Sequence, residues 1–267
     1  MSKFARMTDV LDLFSESDTL LTAEMVAARL QLSRPTVFRY LRELSTAGFL
    51  ANYSGHYSLG ARIIMLDYRI RQSDPLLKAA REPLQCLSEE TGFTSFLCRM
   101  YNDEVVNVYQ QVGRYPAGEA FARGHPMPMF RGAPSQVMLA FLPPARLRKI
   151  CERHMDDPDL QRLGTDWSAQ KAHFAGVRKR GYYLSEQELE AGAMGLAVPI
   201  LMPPVGLVGS IALVFDVERL ALINVDGCAA LAQRQAIEIA QRLAGLAAGT
   251  RNEGTDSILT RPASTRA

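Results

Sequence analysis

Apolar residues recur at helical spacing in the first part of the chain, in short runs separated by polar turns. Met7, Val10, Leu11 and Phe14 share one face of a first helix over 7–14. Met25, Val26 and Leu30 mark a second helix, with Thr22 placed to cap it and Glu24 in its dipole-favoured first turn. Gln31 and Leu32 make a turn. Ser33 then stands at the N-cap of a third helix, and Pro35 is tolerated there because first-turn N–H groups lack intrahelical partners. Val37, Leu41 and Leu44 mark its buried side, and Gly48 ends it. Residues 51–58 form a hairpin with Ser54-Gly55-His56 at its tip, closed by Tyr57-Ser58-Leu59-Gly60. This order predicts a winged helix-turn-helix, whose last helix enters the major groove of DNA.

The pattern changes after the wing. Residues 62–72 are helical again, and Ile63, Ile64, Leu66 and Ile70 make them too apolar for a helix that only crosses solvent. A linker helix packed on another subunit accounts for that. Ser73-Asp74-Pro75 marks a boundary, followed by a long helix over 76–91 with an early interruption at Pro83. Strands are expected at 93–100 and 104–112 around Tyr101-Asn102-Asp103, and at 193–201 and 206–215 around Pro203-Pro204. Helices are expected at 134–142, 145–153, 169–180 and 225–248. The division is therefore 1–60 for DNA, 61–72 for linking and dimerisation, and 73–248 for an α+β domain with a concave face. Beyond 249 the Thr, Ser, Asn, Arg and Pro content predicts a disordered tail, 249–267.

Composition narrows the function classes. The chain has 267 residues, 48% of them hydrophobic and 22% charged, enough for one large or two ordinary domains. No apolar run reaches the roughly 18 residues of a membrane span, and the N-terminus lacks a secretory pattern, so a cytoplasmic protein is expected. A net charge of +2 names no partner by itself. Its distribution does: Arg34, Arg39 and Arg42 precede the first acid of the third helix, Glu43, and no acid follows until Asp67. Cys86, Cys98, Cys151 and Cys228 are scattered and read as reduced thiols. Cys151 and His154 have ligand-like spacing but no second pair, so neither a metal nor another cofactor is expected.

The third helix carries the chemistry. Thr36 and Arg39 are placed to reach base edges from its first two turns. Arg34 and Arg42 suit phosphates, as do Ser33 and the free amides of the helix start beside Pro35. Tyr40 falls outward or at the edge, and His56 and Tyr57 at the wing suit backbone or minor groove. A solvated cationic helix would explain the arginines alone. The capped turn and the wing occurring with them favour double-stranded DNA. The alternative is a ligand-binding scaffold whose winged domain pairs with protein. Catalysis is not expected: Ser135 with His125 or His154 lacks a GxSxG elbow, and no GxxxxGKS or strand-following GxGxxG occurs.

The order of motifs resembles the IclR family of bacterial transcriptional regulators over nearly the whole chain. The winged segment, the YSLG step into a linker helix, PMFRGAPSQVMLAFL at 128–142, RGYYLSEQELEAG at 180–192, GLAVPI and GSIALVFDVERL carry the likeness. The resemblance implies a GAF-like effector domain with an antiparallel sheet, a small-molecule effector, and a homodimer or tetramer on a palindromic operator. It also implies ligand contacts from the amides of Gly132 and Ala133, and from Ser185, Gly195, Ala212 and Val214, to which Met129 is added here as effector-binding lining. Ser135 and Gln136 stand where the family usually has Gly and Lys, and Ala212 and Val214 where serines are frequent. Fewer polar groups favour an aromatic or longer aliphatic carboxylate, the signal of a catabolic operon. Met127, Met129, Phe130, Met138 and Met194 are adaptable as lining or as plain core. Arg123 and Arg131 could pair a carboxylate or lie exposed, while Glu188 suits fixing the pocket loop by hydrogen bonds.

Overall fold

A computed structural model describes the backbone of the chain apart from residues 1–2, 117, 119–121 and 260–267. It forms two units that divide between Asp74 and Pro75. In the first, α1 (Lys3–Leu11), α2 (Ala23–Leu30) and α3 (Arg34–Thr46) enclose Val10, Val26, Val37 and Leu41, all fully buried. Thr22 caps α2 as expected, its Oγ1 accepting from the Met25 amide at 3.3 Å. Ser33 occupies the N-cap of α3 without a side-chain cap bond. Its hydroxyl instead pairs with Thr36 Oγ1 at 3.0 Å, which ties the helix entry together while leaving the first amides open.

The wing is β2 (Leu50–Tyr53) and β3 (His56–Leu59), joined by Ser54 and Gly55 at φ 54° and 86°. Two left-handed residues give a hairpin turn whose twist matches that of the strands. The tip is therefore Ser54-Gly55, and His56 already belongs to β3. A third strand, β1 (Leu21–Thr22), pairs with β3 through Leu21 with Tyr57 and Thr22 with His56. Two residues are too short for any periodicity to reveal. Gly60 closes the wing where no side chain fits: a Cβ there would lie 2.3 Å from the Gly48 carbonyl oxygen. Its amide donates to the Phe49 carbonyl at 2.7 Å, and α4 (Ala61–Ser73) follows with no fully buried residue.

The second unit is built on an antiparallel sheet in the order β6-β5-β4-β9-β8-β7. The strands are β4 (Thr94–Tyr101), β5 (Glu104–Gln111), β6 (Pro126–Met127), β7 (Tyr183–Glu186), β8 (Ala193–Met202) and β9 (Gly206–Asp216). Alternation sorts each strand's side chains to opposite faces. Leu97, Leu196, Val198, Ile211 and Leu213 pack under α5 (Pro75–Thr91) and α10 (Val225–Leu259). Phe96, Cys98, Ala197, Ala212 and Val214 face α6 (Ala133–Ala140) and α9 (Trp167–Arg180), with α7 (Pro144–Arg153) and α8 (Pro158–Leu163) completing that layer. Cover on both faces explains the near-continuous apolar runs of β8 and β9. On the α6 side, however, several of those residues are small.

Two expectations change here. Pro83 does not interrupt α5; it is buried within a continuous helix that forgoes one backbone hydrogen bond. The closing helix continues to Leu259, past the end expected at 248. Once nucleated, a helix gains one bond for each further residue fixed, so even a segment with two glycines and two threonines can extend it. Residues 260–267 of the expected tail lie outside the described residues. Among the described residues no helix is long and apolar enough to cross a membrane.

Candidate functional site

Two places gather the residues singled out by sequence. The first is the outer face of α3. Val37, Tyr40, Leu41 and Leu44 are buried, which turns Arg34, Pro35, Phe38, Arg39, Arg42 and Thr46 outward at successive turns. Pro35, Phe38, Arg39, Arg42, Asn52 and Tyr57 line an open groove between α3 and the wing. Arg34 is exposed and reaches Glu24 Oε1 only at 3.8 Å, too loose and wet to hold it in place. Thr36 is half-buried at the helix start, and His56 is exposed on the wing.

Tyr40 departs from its expected position, outward or at the edge. It is 3% exposed and packs in the core, because it lies three residues from Val37 and four from Leu44 on the buried stripe. Its ring lies 5.4 Å below the Arg39 guanidinium, so it supports that arginine from beneath. Tyr57 is likewise buried rather than at the tip, since its strand register places it against Leu21 and Asn52. Phe38 is the residue that sequence reading passed over. Its signal was available: Arg34 and Arg42 stand four residues before and after it, which puts it on the charged face.

The second place lies between the sheet and α6. Ala133, Ser185, Gly195, Ala212 and Val214 line one cavity together with Phe96, Cys98, Met127, Pro134, Leu189 and Ala193. Small residues make it: a Cβ on Gly195 would sit 2.7 Å from Ser185 Oγ. The space is narrow, about 10 Å³, roughly one water's worth. Its polar groups are few. Ser185 Oγ donates to the Gly195 carbonyl at 3.2 Å, and full burial pushes the Cys98 thiol up to about 12, which keeps it neutral.

Met129 and Gly132 are not among the lining residues. Met129 is half-buried against the core cluster beside the cavity. Gly132, at φ 85°, is the N-cap of α6, and its amide is already taken: it donates to Glu188 Oε2 at 2.6 Å. The other carboxylate oxygen accepts from the Tyr183 hydroxyl at 2.9 Å, and burial together with Glu188 pushes that phenol's pKa up. Glu188 therefore does fix the loop, and it occupies the donor expected for a ligand. Ala133 and Ser135 keep first-turn amides without intrahelical acceptors.

The arginines considered for a carboxylate are engaged elsewhere. Arg131 Nε stands 3.4 Å from Asp159 Oδ2, and Arg123 donates to the Val108 carbonyl at 2.6 Å. Phe130 and Met138 belong to the core on the α6 side and Met194 to the core on the other face. Ser135 Oγ is buried with no hydrogen-bond partner, so no histidine activates it. His154 meets the Phe130 ring edge-on at 5.6 Å, and among the described residues no cluster could hold a metal ion.

Known proteins match both units. The family model for the IclR helix-turn-helix domain matches residues 5–52, and the model for the bacterial transcriptional regulator IclR C-terminal domain matches residues 69–241. The HTH-type transcriptional regulator XynR of Escherichia coli is 27% identical over 198 residues, 73% of this chain and 78% of its own. A crystal structure of an IclR transcriptional regulator from Alicyclobacillus acidocaldarius superposes with a TM-score of 0.74 at 22% identity, covering 90% of this chain and 98% of that one. An IclR homolog from Microbacterium hydrocarbonoxydans, complexed with 4-hydroxybenzoate, has a TM-score of 0.70 at 23% identity, over 91% of this chain and 100% of its own. These families and relatives are regulators and not enzymes. With its winged N-terminal unit and its antiparallel-sheet C-terminal domain both matched, the chain belongs to the IclR family of DNA-binding bacterial transcriptional regulators.

Proposed function

We propose that this regulator binds a palindromic operator through α3 and the wing, and that an aromatic or otherwise apolar carboxylate in the α6 cavity controls that binding. The observation that carries the effector reading is the lining itself: Phe96, Met127, Leu189, Ala212 and Val214 face one space with Ser185 and a neutral Cys98 as its polar groups. Such a wall recognises a ring or an aliphatic body and gives little to a small oxygen-rich acid. The 4-hydroxybenzoate bound by the Microbacterium homolog is a compound of that class. The effector's carboxylate would meet the opening amides of α6, beside or in place of Glu188.

At the other unit, Arg39 and Thr36 are assigned to base edges, Ser33, Pro35, Arg34 and Arg42 to the phosphate side, and His56 to the wing contact. Tyr40 supports these from the core, and Tyr57, largely buried, lines the groove beside them. The apolar side chains of α4, Ile64 at 69% exposure and Tyr68 at 58%, suit self-association into the dimer or tetramer that a palindrome requires. Because the cavity has room for little more than a water, ligand entry selects a widened form of the domain, and its leverage equals its differential affinity for the two forms. A catabolic operon is the matching target.

A thermal-shift screen of the full chain against aromatic, aliphatic and small hydroxy carboxylates tests this, followed by footprinting of the bound DNA with and without the hit. Stabilisation by aromatic or long aliphatic acids and an altered footprint are expected. A response confined to glyoxylate-sized acids would overturn the effector class, and salt-insensitive association with duplex would overturn the DNA reading.

A further inference from the structure

We propose that Phe38 reads the 5-methyl group of a thymine in each half-site of the operator, an inference that rests on the DNA-binding reading above. Phe38 is 51% exposed in the middle of α3. One exposed aromatic ring is unremarked on most surfaces. Here its surroundings select the partner. Arg34 and Arg42 lie one turn away on either side, Arg39 is adjacent, and Pro35 and Phe38 form the apolar part of the groove between α3 and the wing. An apolar protein surface covering the ring would strip water from those guanidinium groups and leave them unpaired.

The major groove of a duplex meets both needs at once. Phosphates line its rims for the arginines, and its floor offers one apolar group on a base edge, the thymine C5 methyl. With Val37, Tyr40, Leu41 and Leu44 holding the helix from behind, the ring presents a fixed apolar face at the depth where Arg39 meets bases. Phe38 is thus a specificity-determining residue, selecting thymine against cytosine or uracil at its position.

The experiment selects duplexes from a random library with the full-length protein, then replaces each selected thymine, one at a time, by deoxyuridine. That change keeps pairing and removes only the methyl group. The wild-type protein is expected to lose about fourfold in affinity at one position per half-site, the factor that one buried methyl group is worth. Phe38→Ala is expected to bind more weakly and to be indifferent to the methyl at that position alone. A flat scan for the wild type, selected half-sites without thymine, or an unchanged methyl dependence in Phe38→Ala would each overturn the proposal. So would a flat scan combined with a changed oligomeric state in Phe38→Ala, which would assign the ring to a second copy. Enrichment of no duplex at all would instead remove the DNA-binding reading and this proposal with it. The wild-type scan needs no variant, so it decides even if Phe38→Ala folds poorly.

Discussion

Glu188 Oε2 accepts a hydrogen bond from the Gly132 amide at 2.6 Å, joining residues 56 positions apart. A carboxylate of the protein thus holds the end of α6 where an anion would otherwise be drawn by unpaired amides and the helix dipole. Replacing it by alanine leaves a partly buried amide and the Tyr183 hydroxyl without their acceptor. Glu188→Ala is expected to lower the stability of the C-terminal domain by about 1–3 kcal/mol, read from urea midpoints. A midpoint equal to that of the wild type would show that the bond contributes nothing to folding.

On α3, Arg39 and Tyr40 are adjacent, yet one is exposed and the other buried. Arg39→Ala should cost about 1–3 kcal/mol in operator affinity and relax one base position, measured by binding to duplexes varied at each position. Tyr40→Phe should leave operator affinity and stability nearly unchanged, since burial and ring stacking persist. Tyr40→Ala should destabilise the winged unit by about 3–5 kcal/mol through the cavity it leaves. Weaker DNA binding by a fully folded Tyr40→Phe would return the phenol to the interface.

Ala133 is fully buried in the cavity wall, so Ala133→Leu fills the space from the helix side. It should abolish the thermal shift produced by whichever carboxylate stabilises the wild type, with DNA affinity retained. Overpacking should itself cost about 1–3 kcal/mol of stability. An undiminished titration by the same compound would place the effector outside this cavity.

His173 supplies a pH dependence. Its Nε2 donates to Gln136 Oε1 at 2.8 Å, and the Gln136 amide nitrogen donates to the Phe130 carbonyl at 2.5 Å. Burial, and secondarily the Arg180 charge, hold the imidazole pKa below its ordinary value near 6.5. The folded state therefore binds fewer protons than the unfolded state in that range. Stability is complete above about pH 6.5 and declines as pH falls from there toward the folded pKa. Urea midpoints at pH 7.5 and 5.5 should differ less in His173→Gln than in the wild type; equal differences would exclude this group as the cause.

How much of this was legible in the sequence depends on how local each cause was. Thr22 announces α2 because its cap bond closes within three residues, and the periodic stripe of α3 shows its buried side directly. Tyr40 misleads because a tyrosine fits either face by composition, and only its spacing from Val37 and Leu44 decides. Strands β1 and β7 were missed since they are two and four residues long and are held by partners distant in sequence. Cavity residues Phe96 and Cys98 come from β4 and Leu189 from the segment between β7 and β8, and no local pattern links the two. The Gly132–Glu188 bond is of the same kind. Family likeness brought Ala133, Ser185, Gly195, Ala212 and Val214 together, but it could not show how little room is left among them.

The pairing of Leu21 with Tyr57 has a consequence for the sequences this protein can occupy. That short ladder fastens the segment leading into α2 to the outer hairpin, and α3 packs on both α2 and β2, so helices and hairpin hold together as one piece. An operator with one base pair added between the positions protected by α3 and by the wing is expected to lose one of those two contacts, read by footprinting.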